Sequence, residues 1–131
     1  MSGALVIRAA IHAALSADAG LLALVNQISD RTPARASAPW LMLGDGVATG
    51  WGARDVDGVT LRQPIRLDVR GDDFAHVTAI MARLGAVLDQ MDADLGDWRL
   101  TSLRPERTRA ARRPGAWRIE VDYLVRAARQ H

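Results

Sequence analysis

The sequence contains no cysteine and no lysine, and only 5% of its residues are aromatic. Without cysteine, a disulfide framework, a thiolate nucleophile and a cysteine-based zinc site are all excluded. No hydrophobic run approaches the ~20 apolar residues that a helix needs to cross a bilayer. What remains is a chain whose basic charge is carried entirely by 17 arginines.

The length of 131 residues suits one domain, and a hydrophobic content of 49% is enough for one core. Residues 1–15 are apolar, but Arg8 lies inside this stretch rather than ahead of it, which is typical of a helix and not of a signal peptide. We therefore expect a soluble, cytoplasmic protein. The net charge is only +2, yet residues 104–131 carry eight arginines against three acids. The basic charge is thus concentrated near the C-terminus.

Three helices are predicted from hydrophobic spacing and caps. Residues 4–15 place Ile7, Ile11 and Leu15 on one face, with Arg8 and His12 as a narrow polar stripe. So little charge suggests that this helix is covered on more than one side. Ser16 or Asp18 caps a short second helix through residue 25. Asp72 or Asp73 caps the third, whose apolar arc comprises Phe74, Val77, Ile80, Met81, Leu84, Val87, Leu88 and Met91.

Strands are predicted at residues 28–31, 40–43, 60–70, 98–103 and 117–126, the third and fifth with clean alternation. Pro64 indicates an edge position or a bulge. Residues 44–58 hold five glycines and predict a mobile loop or a loosely paired hairpin arm. Residues 104–114 predict a second mobile arm, which is either a basic loop or a hairpin tip. The order α-α-β-β-β-α-β-β predicts one α+β domain over residues 1–131, with a mostly antiparallel sheet and two main helices on one face.

No catalytic, cofactor or metal site is expected. The histidines, His12, His76 and His131, lack metal-ligand spacing. The glycines of residues 44–52 resemble a phosphate cradle only superficially, because no helix opens directly after them. Asp89, Asp92, Asp94 and Asp97 form an acidic cluster, but a calcium loop starting at Asp92 would need glutamate where Leu103 stands. Turn chemistry, or docking of arginines, explains these acids better.

The basic segment has three possible roles: a nucleic-acid footprint, a protein contact or a solvated tip. Arginine binds phosphate well, but the nearest aromatics, Trp98 and Trp117, fall in strands, so a stacking surface is missing. A protein contact is favoured. The candidate subunit or partner interface comprises Arg104, Arg107, Arg109, Arg112, Arg113, Asp89, Asp92, Asp94, Asp97, Arg8 and His12.

The pattern from residue 4 to residue 126 resembles the tail-completion, or tail-terminator, family of siphophage-like particles, which includes parts of gene transfer agents. The resemblance rests on the opening helices IRAAIHAALSADAGLLALV, the strand LRQPIRLDVRG, the helix DDFAHVTAIMARLGAVLDQM and the closing strand WRIEVDYLVRA. It concerns layout rather than a catalytic signature, and it implies a structural protein without catalytic residues.

The resemblance implies a homohexameric ring at the head-proximal end of a tail tube, in the neck of a particle assembled in the bacterial cytoplasm. Its partners would be itself, the tail tube protein and the head–tail connector or stopper protein. DNA would pass through the lumen without specific binding, and no membrane is involved. The alternatives are another head–tail component, such as a stopper or tube-like protein, and a small basic nucleic-acid-binding protein. An enzyme is the weakest alternative, because no activated nucleophile or acid–base pair is visible.

Overall fold

The computed structural model describes residues 2–31, 37–71 and 74–130, which form three helices and one six-stranded sheet. None of the described helices is long and apolar enough to span a membrane. In chain order the elements are α1 (Gly3–Ser16), α2 (Ala19–Leu22), β1 (Gln27–Ser29), β2 (Trp40–Leu43), β3 (Val47–Ala53), β4 (Val56–Arg70), α3 (Phe74–Asp89), β5 (Trp98–Arg113) and β6 (Ala116–Arg129).

The sheet has the order β1-β2-β4-β6-β5, and β3 joins β4 on the same side as β2. Among the strand pairs of the described residues, β1–β2 is parallel and the others are antiparallel. The long strands β4 and β6 pair from Gly58↔Ala128 to Arg70↔Ala116 and form the centre of the sheet. The mixed α+β fold and its mostly antiparallel sheet confirm the fold class predicted from the sequence.

The core lies between one face of the sheet and the two long helices. Helix α1 contributes Ile7, Ile11 and Leu15, at the predicted spacing of four. Alternate residues of β4 and β6 face these helices and are buried, as strand alternation requires. The buried residues of α3 are Val77, Ile80, Leu84, Val87 and Leu88. Phe74 was predicted in this arc but is 58% exposed, because it lies at the first position of the helix; its ring packs edge-on against Trp117 at a centroid distance of 5.7 Å.

Two segments differ from the sequence-based prediction. Residues 44–58 are not an open loop: β3 pairs with β4 from Val47↔Arg62 to Ala53↔Val56, so the hairpin arm is the correct alternative. Helix α2 ends at Leu22 rather than at residue 25. Its N-cap is Asp18, which accepts a hydrogen bond from the Leu21 amide at 2.8 Å. The capping predicted for Asp72 or Asp73 lies outside the described residues.

Strand β5 is longer than predicted, because β6 pairs back along it as far as Arg113↔Ala116. Register shifts between Leu100 and Ser102 and between Pro105 and Arg107 interrupt the alternation that would reveal a strand in the sequence. The predicted basic loop is therefore the outer strand of a hairpin that turns at Gly115, where φ is 69°.

Pro64 was predicted at an edge or a bulge but lies inside β4, opposite Asp122 of β6. Its carbonyl accepts from the Gly44 amide at 2.9 Å, so its ring nitrogen faces the same side. On that side β2 has ended at Leu43 and β3 has not begun. The missing N–H therefore falls where no ladder partner requires it.

Candidate assembly interface

The sheet face opposite the helices carries cross-strand ion pairs. Arg107 donates to Asp122 at 2.9 Å and Arg109 to Glu120 at 2.7 Å, both between β5 and β6. Asp68 of β4 accepts from Arg118 of β6 across the strands and from Arg66 of its own strand, each at 3.0 Å. Two of the predicted interface arginines, Arg107 and Arg109, are therefore engaged within their own chain. Both remain largely exposed, so their energetic contribution is small.

Arginine guanidinium groups lie over tryptophan rings at several places that the sequence did not reveal. Arg66 lies 5.1 Å from the ring centroid of Trp40, and Arg126 lies 5.0 Å from that of Trp51. Arg112 lies 5.6 Å from Trp117. These cation–π contacts order the arginine side chains on the sheet surface. A spacing rule would not find them, because each pair joins different strands.

Residues 104–113 form what we call the β5 flange, the half of β5 that extends beyond the helices. Every residue of the flange is exposed, including those at positions that face the helix side of the sheet. Within the described part of the chain, β6 is the only strand that pairs with β5. The flange is therefore bare on two faces and along its outer edge. It contains five of the predicted interface arginines, and among the described residues Arg104 and Arg113 form no ion pair with a carboxylate.

The acidic cluster forms a turn between α3 and β5. The Asp92 carboxylate accepts the Asp94 amide at 2.9 Å, and the Asp94 carboxylate accepts the Gly96 amide at 3.0 Å. Asp94 also accepts from the Gln130 side chain at 2.8 Å. The bond from the Gly96 amide, and after it the bond from Gln130, lower the pKa of Asp94 below its ordinary 3.8. Asp94 is thus a turn residue, although all four acids of the cluster are exposed.

The structure does not bring the acidic and basic clusters together in one chain. The acidic turn precedes Trp98 at the start of β5, and the flange ends at Arg113. At ~3.3 Å per residue of extended strand, the flange begins roughly 20 Å from Trp98 and ends roughly 50 Å from it. The predicted pairing of these clusters remains a proposal about contacts between chains.

A groove of about 470 Å³ runs between α1 and α3 beside the acidic turn. Its lining residues are Ala10, Ala13, Ala14, Asp18, Val87, Gln90, Met91, Asp92 and Leu95. Arg83 donates to Asp18 at 2.7 Å, and this hydrogen bond is the main reason that the pKa of Asp18 is lowered. Asp92 has no ion pair among the described residues, so its charge is available at the rim of the groove.

Arg8 was predicted as a surface interface residue, but its side chain turns toward the sheet. Its guanidinium donates to the carbonyl oxygens of Gly44 at 2.5 Å, Asp30 at 2.8 Å and Leu43 at 3.1 Å. It also donates to the side-chain oxygen of Gln63 at 3.2 Å. The side-chain role of Arg8 is therefore structural. His12, one turn later, is half-buried.

Gln63 is a key residue that the sequence analysis missed. It is 0% exposed on the helix side of β4, and its amide donates to the carbonyls of Gly44 at 2.7 Å and Pro64 at 2.9 Å. The break in the alternating apolar pattern of β4 was the available signal. In the described residues no group of histidine, cysteine and carboxylate side chains is placed to hold a metal ion.

Comparison with known proteins gives a match to a protein family and matches to solved structures. The family described as tail completion protein gp17 matches residues 9–128. A solved structure, described as the virion of a native gene transfer agent particle, matches with a TM-score of 0.73 and 25% sequence identity. That match covers 96% of each chain. Comparison with curated proteins gives no match.

Proposed function

The chain belongs to the tail completion protein gp17 family and is a structural component of the tail of a virus-like particle, and on this premise we propose that it ends tail-tube growth. In this proposal six copies form a ring on the head-proximal end of the tube. One face of the ring binds the last ring of tube protein. The other face receives the head–tail connector and offers no site for a further tube ring.

The observation that carries the proposal is the extent of the family match, which begins inside α1 and ends inside β6. The whole fold, rather than a short motif, is shared with the family. A tube grows by open head-to-tail stacking, so ending it requires a subunit with two unlike faces. The two faces of the sheet in this chain are unlike: helices cover one, and arginines and carboxylates occupy the other.

The surface of α1 also supports a role that needs many contacts. Leu5 is 56% exposed, and Ala9 and Ala13 follow it at intervals of four, so one side of the helix is apolar and bare. A helix in a solitary domain normally solvates such a side with charge. In the proposed ring, neighbouring copies, the tube protein and the connector protein supply the cover, and DNA passes through the lumen without specific binding.

The test is a tube-growth assay. Purified tail tube protein polymerises with and without this protein, and electron microscopy measures tube length and the appearance of both ends. We expect one end of each tube to carry a ring with six-fold averages, and elongation at that end to stop. Unchanged tube growth with no ring at either end would refute the proposal.

A DNA-binding experiment distinguishes the proposed function from the main alternative, a small basic nucleic-acid-binding protein. Affinity for duplex DNA is measured over a range of salt concentrations, because nucleic-acid binding through arginine weakens steeply as salt rises. We expect weak binding without sequence preference. Tight, salt-dependent binding by a protein that leaves tube growth unchanged would instead indicate a small basic nucleic-acid-binding protein.

A further inference from the structure

We propose that the tip of the β5 flange, residues 110–113, docks into the α1–α3 groove of a neighbouring copy of this chain. The proposal rests on the ring proposed above and names its subunit contact. It gives a specific occupant to a groove that the single chain leaves open. It also gives a partner to a strand that the single chain leaves bare.

The flange has the chemistry of an inserted segment. Ala110 and Ala111 are exposed on opposite faces of the strand, and Arg112 and Arg113 follow them. A long bare edge strand is a risk for uncontrolled pairing, and closely spaced arginines reduce that risk in the free chain. The same arginines and small apolar side chains suit a narrow site with an acidic rim.

The groove provides that site. Ala10, Ala13 and Ala14 form one wall, and their small side chains allow another backbone to approach α1 closely. Met91 and Leu95 provide apolar surface on the other side. Asp92 stands at the rim, and the exposed Asp89, which does not line the groove, ends α3 three residues earlier. The site therefore matches alanine in its interior and arginine at its margin.

The position of these two surfaces favours a second copy over an unrelated partner. The groove adjoins the turn that precedes β5, and the tip lies at the far end of the same strand. One chain cannot bring them together, but a neighbour related by rotation can. A head-to-tail contact of this kind uses two different surfaces on every copy, and repetition closes a ring when the rotation divides a full turn.

The absence of cysteine makes cross-linking a clean test. Two single-cysteine proteins are prepared, Ala13→Cys in the groove and Ala110→Cys on the flange, with different affinity tags. They are mixed, assembled on tail tubes and treated with a short bis-maleimide reagent. We expect a mixed dimer in high yield, and little dimer when either variant is assembled alone, because equivalent sites lie far apart in a head-to-tail ring.

The matched control replaces Ala13→Cys with Ala82→Cys, an exposed alanine of α3 that does not line the groove. This control should give several-fold less mixed dimer with Ala110→Cys. Rings on the tubes without a preferred Ala13–Ala110 cross-link would overturn the docking proposal and leave the proposed function intact. Absence of rings with the unmodified protein would overturn the proposed function itself. Self-dimers of either variant would indicate a two-fold contact and would also overturn the docking proposal.

Discussion

The guanidinium of Arg8 fills the place where β4 changes neighbours from β2 to β3. Three carbonyl oxygens and the Gln63 side chain meet there, and Pro64 contributes no N–H to the ladder. Buried carbonyls need donors, and a single planar group with five N–H donors satisfies several of them at once. This arrangement ties α1 to the sheet through the side chain of a residue that looks like a surface arginine in the sequence.

We expect Arg8→Met to lower the free energy of unfolding by about 1.5–3 kcal/mol, because hydrogen bonds to a charged donor are lost and their acceptors stay partly buried. Urea denaturation followed by circular dichroism measures the change. The control is Arg54→Met in the exposed β3–β4 turn, which should cost less than about 0.5 kcal/mol, as is usual for surface substitutions. Equal effects of the two substitutions would contradict the structural role of Arg8.

A second prediction concerns Asp18, which caps α2 and binds Arg83. These interactions lower its pKa from 3.8, so the folded state holds the charged form more strongly than the unfolded state. The resulting stability is fully present above pH 3.8 and is lost as the pH falls through the lower pKa of the folded state. We expect the urea concentration at the unfolding midpoint of the wild type to decrease as the pH is lowered through this range.

Asp18→Asn removes the titrating group but keeps a side chain that can cap a helix. The difference in urea midpoint between wild type and variant should therefore be larger at pH 6 than at pH 3. A difference that is independent of pH would show that the charge of Asp18 contributes nothing to folding.

Residue-level roles were only partly accessible from the sequence. The spacing of Ile7, Ile11 and Leu15 identified the buried face of α1, because helix geometry fixes which residues share a face. The same geometry placed Arg8 on a polar stripe. It could not show that a long side chain would reach carbonyls 22 to 36 residues away. Contacts of that kind depend on topology, which local periodicity does not contain.

At the scale of elements, helix α3 is the main core element. Its inward residues recur at the predicted spacing and share one core with the buried residues of α1 and of the sheet. Leu84 is 1% exposed. We expect Leu84→Ala to destabilise the protein by about 2–5 kcal/mol, because it removes apolar contacts and leaves a cavity.

The matched control is Leu22→Ala in α2, where the leucine is 48% exposed and packing is slight. Its cost should stay below about 1 kcal/mol. Denaturant melts of both variants give the comparison. A loss below about 0.5 kcal/mol for Leu84→Ala would mean that the apolar face of α3 is not part of the core.

The strands differ in how well the sequence predicts them, and the reasons are physical. Strands β4 and β6 alternate cleanly because one face packs against helices and the other carries charge. Strand β3 contains Gly50 and Gly52, which weaken the signal, and it exists because β4 supplies a partner. Trp51 lies across Gly58 so closely that a Cβ there would approach its indole ring to 2.0 Å. That close approach explains one glycine that the sequence analysis attributed to a loop.

The whole molecule is polarised along its edge strand, acidic at one end of β5 and basic at the other. The sequence predicted both clusters and the family, because charge composition and layout are visible in one dimension. The α1–α3 groove was not predicted, since it depends on how two helices separated by 57 residues pack together. The structure also narrows the predicted interface: Arg107, Arg109 and Asp94 have partners in the same chain.

The last prediction tests Arg112 and Arg113 of the flange tip together with Asp89 and Asp92. Arg112→Glu combined with Arg113→Glu should leave the fold intact, because both side chains are exposed, and should abolish the formation of capped tubes. Exposed ion pairs contribute only ~0.2–1 kcal/mol each, but a closed ring repeats the contact at every interface, and reversal turns attraction into repulsion. Adding Asp89→Arg and Asp92→Arg to the reversed protein should recover part of the capped tubes, counted by electron microscopy.

The control is Arg31→Glu with Arg54→Glu, which imposes the same change in net charge away from the flange and should leave capping unchanged. Normal capping by the flange double variant would show that its tip is merely solvated, whereas loss without rescue would assign the tip to another protein or to DNA.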